Sequence, residues 1–85
     1  MRDSRNDVIL KVLDELSTAC ALWPEFNSAH EGFAVLLEEV DELKAHVWTN
    51  QKKRNLLDMK KEAIQVAAMA MRFAIDVCGE ERGRK

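Results

Sequence analysis

The chain of 85 residues contains one proline, three glycines, two cysteines and no tyrosine, and aromatic residues make up 6% of it. Each scarcity excludes something. So few glycines and prolines rule out a collagen-like chain or a Gly/Pro-rich linker. A β-sandwich is disfavoured too, because it needs many turns and many β-branched or aromatic residues. Cys20 and Cys78 lie far apart, with no CxxC and no second pair, and read as small buried thiols in a chain without a signal peptide. That pattern predicts a reducing, cytoplasmic location. No long apolar run is present either. The longest, Ile64 to Val77, is interrupted by Gln65, Arg72 and Asp76, so no membrane partner is expected. Basic residues show no excess: Asp and Glu outnumber Lys and Arg 15 to 13, for a net charge of −2. The short clusters Lys52-Lys53-Arg54, Lys60-Lys61 and Arg82, Arg84, Lys85 read as a solvated loop or fraying tail, and nucleic acid is not the expected partner.

What remains is 47% hydrophobic and 33% charged, the composition of a single all-α domain spanning residues 1–85. A chain this short hides only about 60–65% of the surface it exposes when unfolded, so its stability depends on a staple or a partner.

Capping residues and the sole proline divide the chain into three helices, expected over about 5–23, 29–48 and 56–78. Ser4 with Asp7 caps the first, and Pro24 ends it near Trp23. Its apolar positions Ile9, Val12, Leu13, Leu16, Ala19, Cys20 and Trp23 repeat at helical spacing. Ser28 with Glu31 reads as a second capping box. The core face expected for helix two is Phe33, Leu36, Leu37, Val40, Leu43 and Val47. Asn55 caps helix three, Asp58 complements its dipole, and Gly79 stops it. Residues 79–85 read as a flexible charged tail, and Met59, Met69 and Met71 as packing.

Helix three is apolar on nearly all sides between Ile64 and Val77, so it must be surrounded. Two short helices cannot surround it, which predicts a homo-oligomer, dimer or tetramer, assembled through helix three as an oligomeric helical bundle. Its alanines at 63, 67, 68, 70 and 74 permit close approach.

Two polar lines stand out. On helix two, Glu38, Glu39 and Glu42 concentrate negative charge with only His46 as a local cation, beside Glu42. On helix three, Glu62, Gln65, Arg72 and Asp76 fall on one stripe at about 100° per residue. Unpaired burial of such groups costs several kcal/mol, so the stripe requires partners. Arg72 with Asp76 one turn on is one pairing. Glu39 and Glu42 set opposite Glu62 and Gln65 is another, an oxygen-rich cluster suited to Mg2+ or Mn2+. A solvated acidic face and an ion-paired interface remain open as plainer readings of the same residues.

Glu38-Glu39-Val40-Asp41-Glu42 followed by Glu62-Ala63-Ile64-Gln65 resembles the EExxE…ExxD signature of MazG-like nucleotide pyrophosphohydrolases, an all-α superfamily. The resemblance covers roughly residues 8 to 78. It implies a metal-dependent enzyme that converts a nucleoside triphosphate to a nucleoside monophosphate and pyrophosphate, in the house-cleaning of non-standard nucleotides. Carried over, Glu39, Glu42 and Glu62 become Mg2+ or Mn2+ ligands, and Gln65 takes the family's last, acidic position. Glu38 assists the cluster or orients the attacking water. Trp23, Phe26 and Trp48 resemble base-stacking positions, although Trp23 also reads as a helix-end core residue. Charge alone nominates Lys53, Arg54 and Arg72 for phosphate contacts. Gln65 departs from the pattern, since an amide oxygen ligates weakly and without charge. It implies one metal instead of two, a shift of the acidic role to a group such as Asp76, or weak catalysis. The alternative function is a non-catalytic oligomerisation or nucleotide-binding module on the same scaffold.

Overall fold

The structure, a computed structural model, describes residues 4–79; of the tail expected over 79–85, positions 80–85 lie outside them. Three helices make up the described fold: α1 (Arg5–Leu22), α2 (Ala29–Val47) and α3 (Leu56–Asp76), with a 3-10 turn at Gln51–Lys53 before α3. Among the described residues there is no strand, and no helix is long and apolar enough to cross a membrane.

The helix starts follow the capping residues. Ser4 Oγ accepts from the Asp7 backbone N–H at 3.1 Å, and Asp7 returns the bond by accepting from the Ser4 N–H at 3.4 Å. Ser28 Oγ accepts from the Glu31 N–H at 3.1 Å, but the second box is only half closed. The Glu31 carboxylate reaches the Asn27 N–H at 2.6 Å instead of the Ser28 N–H, which extends the cap one residue into the preceding loop. Asn55 caps α3 by accepting from the Asp58 N–H at 3.1 Å. The helices stop one or two residues before the expected ends. Trp23 is already extended (φ −122°, ψ 142°) ahead of Pro24, as the steric clash with a following proline requires.

α3 is the central element, and both other helices pack on it. α2 runs antiparallel to α3: Gly32, near its start, lies against Phe73, while His46, near its end, lies against Glu62. α1 runs in the same sense as α3. Its Lys11–Glu15 stretch borders Leu57–Ile64, and the loop after it reaches Arg72. α1 and α2 stand apart over α3 and leave a groove between them.

The core is small: Val12, Ala19, Ala68 and Met69, flanked by Val8, Leu16, Val35, Leu36, Ile64 and Ala67, with Phe26 buried beside Gly32. The inward face expected for α2 is therefore displaced. Leu36 and Leu43 are half-buried, but Phe33 is 57% exposed and Leu37, Val40 and Val47 also face outward. Gly32 explains the rotation. Lacking a side chain, it lets Phe73 approach so closely that a Cβ there would lie 2.8 Å from the Phe73 ring, which turns Gly32, Glu39 and His46 toward α3. Periodicity locates an apolar stripe without saying what covers it.

Two smaller expectations also change. Cys20 and Cys78 are exposed, not buried, because Ala19 takes the inward position at the end of α1. Of the methionines, Met69 is buried and Met59 half-buried, but Met71 is 39% exposed. The polar stripe of α3 does face inward: Glu62 and Gln65 are half-buried, and Arg72 and Asp76 are buried.

Candidate metal cluster and ligand groove

The groove encloses about 570 Å³. The last two turns of α1 form one wall, the loop Trp23–Asn27 closes one end, α2 forms the other wall, and Gln65, Met69 and Arg72 of α3 form the floor. Six glutamates line it, Glu15, Glu25, Glu31, Glu38, Glu39 and Glu42, against one cation, Arg72. The groove is therefore an acidic concavity whose floor carries an amide, a methionine and a buried arginine.

At its α2–α3 edge, Glu39, Glu42 and Glu62 converge. Each offers a carboxylate oxygen, and the three oxygens lie within 4.8 Å of one another. Helical spacing places Glu39 and Glu42 on adjacent turns of α2, and the antiparallel packing brings Glu62 across from them. Burial first, then hydrogen bonding and repulsion from Glu42 with further repulsion from Glu62 and Glu38, raises the Glu39 carboxyl from 4.5 to about 7. The partner of His46 is Glu62, at 3.9 Å from Nε2 to Oε2, and not Glu42 on its own helix. The antiparallel packing of α2 on α3 sets His46, which faces α3, beside Glu62.

At the other end, Arg72 and Asp76 hold the α1–α2 loop. Arg72 donates through its NH2 group to the Pro24 carbonyl at 2.6 Å, and its Cζ lies 4.0 Å from the Phe26 ring centroid. Asp76 accepts from the Phe26 N–H at 3.2 Å, and its Oδ2 lies 3.5 Å from Arg72 Nε. The expected i,i+4 pair exists, and it is a clasp. Asp76 is thereby occupied at the loop end of the groove, away from the carboxylate cluster, and is not in place to add a carboxylate to it.

Of the residues singled out from sequence, Glu38, Glu39, Glu42, Gln65, Trp23 and Arg72 all line the groove, and Glu62 joins them through the cluster. Three do not reach it within one chain. Trp48 is 75% exposed past the end of α2, with Lys44 Nζ 5.8 Å from its ring centroid. Arg54 donates to the Thr49 carbonyl at 3.2 Å and the Val47 carbonyl at 2.6 Å, which satisfies the free carbonyls at the end of α2. Lys53 is exposed in the 3-10 turn. Phe26 is buried under Arg72 and has no open face for a base.

Sequence reasoning missed Glu15 and Glu31 as groove residues. Glu15 had a signal: it sits between Val12 and Ala19 on the inward side of α1, where an acid is unusual. Glu31 had none beyond its capping role, because only the placement of the loop turns it into the groove.

No family model, curated protein or solved structure matches this chain.

Proposed function

We infer that the chain is a metal-dependent nucleoside triphosphate pyrophosphohydrolase, working as a homo-oligomer, with Mg2+ or Mn2+ held by Glu39, Glu42 and Glu62. The observation that carries this reading is the convergence of those three carboxylates within 4.8 Å at the edge of an acidic groove. Three half-buried or exposed carboxylates with no lysine or arginine among them favour a hard divalent cation, which offsets the repulsion felt by Glu39. The groove supports a metal-dependent rather than a lysine-based phosphate site. Its one cation, Arg72, is already engaged by Asp76, Pro24 and Phe26, so a polyphosphate enters together with divalent cations.

Such cations supply charge neutralisation and polarisation of the phosphoryl group. The remaining work belongs to the chain. Glu38 lines the groove beside the cluster and orients the water that attacks the α-phosphorus. The bond to the bridging oxygen then breaks, and nucleoside monophosphate and pyrophosphate leave. Gln65 on the floor contributes an amide oxygen without charge. Trp23, 62% exposed at the groove's closed end, stacks on the base. Lys53, Arg54 and Trp48 have no part in this reading within one protomer. Ala70, Met71, Ala74 and Ile75 stay exposed on α3, in keeping with an assembly that uses helix three.

The test is pyrophosphate release, measured separately from phosphate, on a panel of NTPs and dNTPs with Mg2+ or Mn2+. Metal-dependent release that is lost in Glu39→Ala and Glu62→Ala is the expected result. No turnover with any nucleotide refutes the enzyme. Gln65 favours a second reading, a nucleotide-binding module on the same scaffold, and thermal stabilisation by Mg2+ with nucleotide but without turnover selects it.

A further inference from the structure

We propose that Arg72 and Asp76 are positioning residues: they fix the backbone of the Trp23–Asn27 loop so that the Trp23 indole stands at the closed end of the groove as a preformed stacking platform. A nucleobase as the ligand of that platform rests on the pyrophosphohydrolase reading. The fixing of the indole does not.

Anchors run along the whole loop. The Trp23 N–H ends α1 by donating to the Ala19 carbonyl at 2.9 Å. Pro24 follows, with its φ set by its own ring and its carbonyl accepting from Arg72 at 2.6 Å. The Phe26 N–H donates to Asp76 at 3.2 Å, and the Phe26 ring lies against Gly32 beneath the Arg72 guanidinium. The Asn27 N–H donates to Glu31 at 2.6 Å, and Ser28 then caps α2. Trp23 is thus bracketed by a bond from its own N–H and a bond to the next carbonyl. Its side chain nevertheless stays 62% exposed on the groove, whereas Phe26 in the same loop is 3% exposed. A large aromatic held out on a fixed backbone has already lost much of the freedom that a contact otherwise costs.

Stability does not account for the clasp. Apolar residues of similar volume in place of a buried ion pair are often neutral or stabilising. What they cannot do is hold the Pro24 carbonyl and the Phe26 N–H, two backbone groups 48 and 50 positions away. Arg72 suits that task because its planar fork presents several donors in a fixed geometry. One of its nitrogens reaches Pro24 while Nε faces Asp76 at 3.5 Å. Both members of the pair belong to α3, the helix that also carries Glu62 and Gln65. The loop is therefore tied to the same rigid element as the carboxylate cluster. That common support sets the span between the platform and the metal end of the groove.

The test uses the full chain in a Trp48→Phe background, which leaves Trp23 as the sole tryptophan. Arg72→Met combined with Asp76→Leu removes both charges together, so neither is left buried alone. Arg72→Lys is the second variant: it keeps a cation for Asp76 without the fork, and it decides the outcome if the double variant loses its helical circular dichroism. Without nucleotide, the fluorescence anisotropy of Trp23 is expected to fall by about a quarter in both variants, because the indole gains fast motion. Anisotropy equal to the parent's in a helical variant overturns the positioning role.

With Mg2+ and nucleoside triphosphates, the double variant is expected to raise KM about tenfold and to keep kcat within about threefold, the pattern of lost uniform binding. Inorganic tripolyphosphate, which carries the phosphates and no base, is expected to inhibit parent and variant at similar concentrations. Equal weakening of nucleotide and tripolyphosphate puts the defect at the phosphates and overturns the proposal. A parent chain that neither turns over nor binds any nucleotide refutes the pyrophosphohydrolase reading and the base as ligand. The anisotropy of Trp23 still decides in that case whether the clasp holds the indole, so the two failures are separate results.

Discussion

The Arg72 guanidinium lies over the Phe26 ring, with Cζ 4.0 Å from the ring centroid. The ring is thus covered by a cation that also holds the Pro24 carbonyl and faces Asp76. The pair joins the end of α3 to the α1–α2 loop and so shapes the closed end of the groove. Burial makes the pairing obligatory, since Arg72 and Asp76 are 5% and 4% exposed, and an isolated charge there has no water to turn to.

Removal of one member leaves the other buried and unpaired. Arg72→Met is therefore expected to lower unfolding stability by about 3 kcal/mol, and Asp76→Asn by about 2 kcal/mol, since the amide oxygen still accepts from the Phe26 N–H. Urea denaturation monitored by circular dichroism measures both. A loss under 1 kcal/mol for Arg72→Met shows the clasp to be dispensable.

Gly32 makes an independent case. A methyl group there meets the Phe73 ring at 2.8 Å and the Phe26 ring at 3.0 Å, and two rings wedged together cannot both retreat. Helix propensity favours alanine by about 1 kcal/mol, but overpacking costs about 1–3 kcal/mol. Gly32→Ala should be destabilising by about 1 kcal/mol, contrary to the usual gain inside a helix. A rise in melting temperature contradicts this.

The raised Glu39 carboxyl carries a pH dependence with a definite sign. Its folded value, about 7, lies above the ordinary 4.5, so the folded state holds this proton more tightly than the unfolded state. The contribution is complete below pH 4.5 and is lost as pH rises through 7. Without divalent metal, melting temperature should fall between pH 4.5 and 7, and Glu39→Gln should flatten that part of the curve. If the variant and the parent show the same slope across this window, Glu39 does not titrate there.

Metal reverses the picture. Binding requires the ionised carboxylate, so Mn2+ should bind more tightly at pH 8 than at pH 6 and release protons at the lower pH. Gln65→Asp should strengthen Mn2+ binding further, by up to tenfold, by adding a charged ligand on the groove floor. Calorimetric titration in two buffers of different ionisation enthalpy reads both effects. Unchanged affinity in Gln65→Asp places that position outside the cluster's reach.

How far the chain could be read in advance differs from element to element. Ser4, Ser28 and Asn55 announced the three helix starts because a cap is a local bond, complete within four residues. Glu39, Glu42 and Glu62 were legible as a set, since two share a helix face and the third lies on the next long helix. The polar stripe of α3 was correctly expected to need partners, but the loop residues Pro24 and Phe26 that partner Arg72 and Asp76 could not be named. They lie some fifty positions away, and no local pattern encodes that contact. Cys20 failed for a simpler reason: Ala19, one position away, competes for the same inward place and fits it.

The scarcity of turn residues and the helical spacing of apolar ones were enough by themselves to determine an all-α chain of three capped helices with an acidic line on the second. Those properties reside in bonds and periodicities within a few residues. Only the tertiary structure decided which flank of α2 turns inward, because Gly32 lets the Phe73 ring close against one side. That single rotation sends Glu39 toward Glu62 and leaves Phe33, Leu37, Val40 and Val47 in solvent. A helix carries its stripes wherever it goes, and the packing of its neighbours determines which stripe becomes core, which becomes site and which remains uncovered.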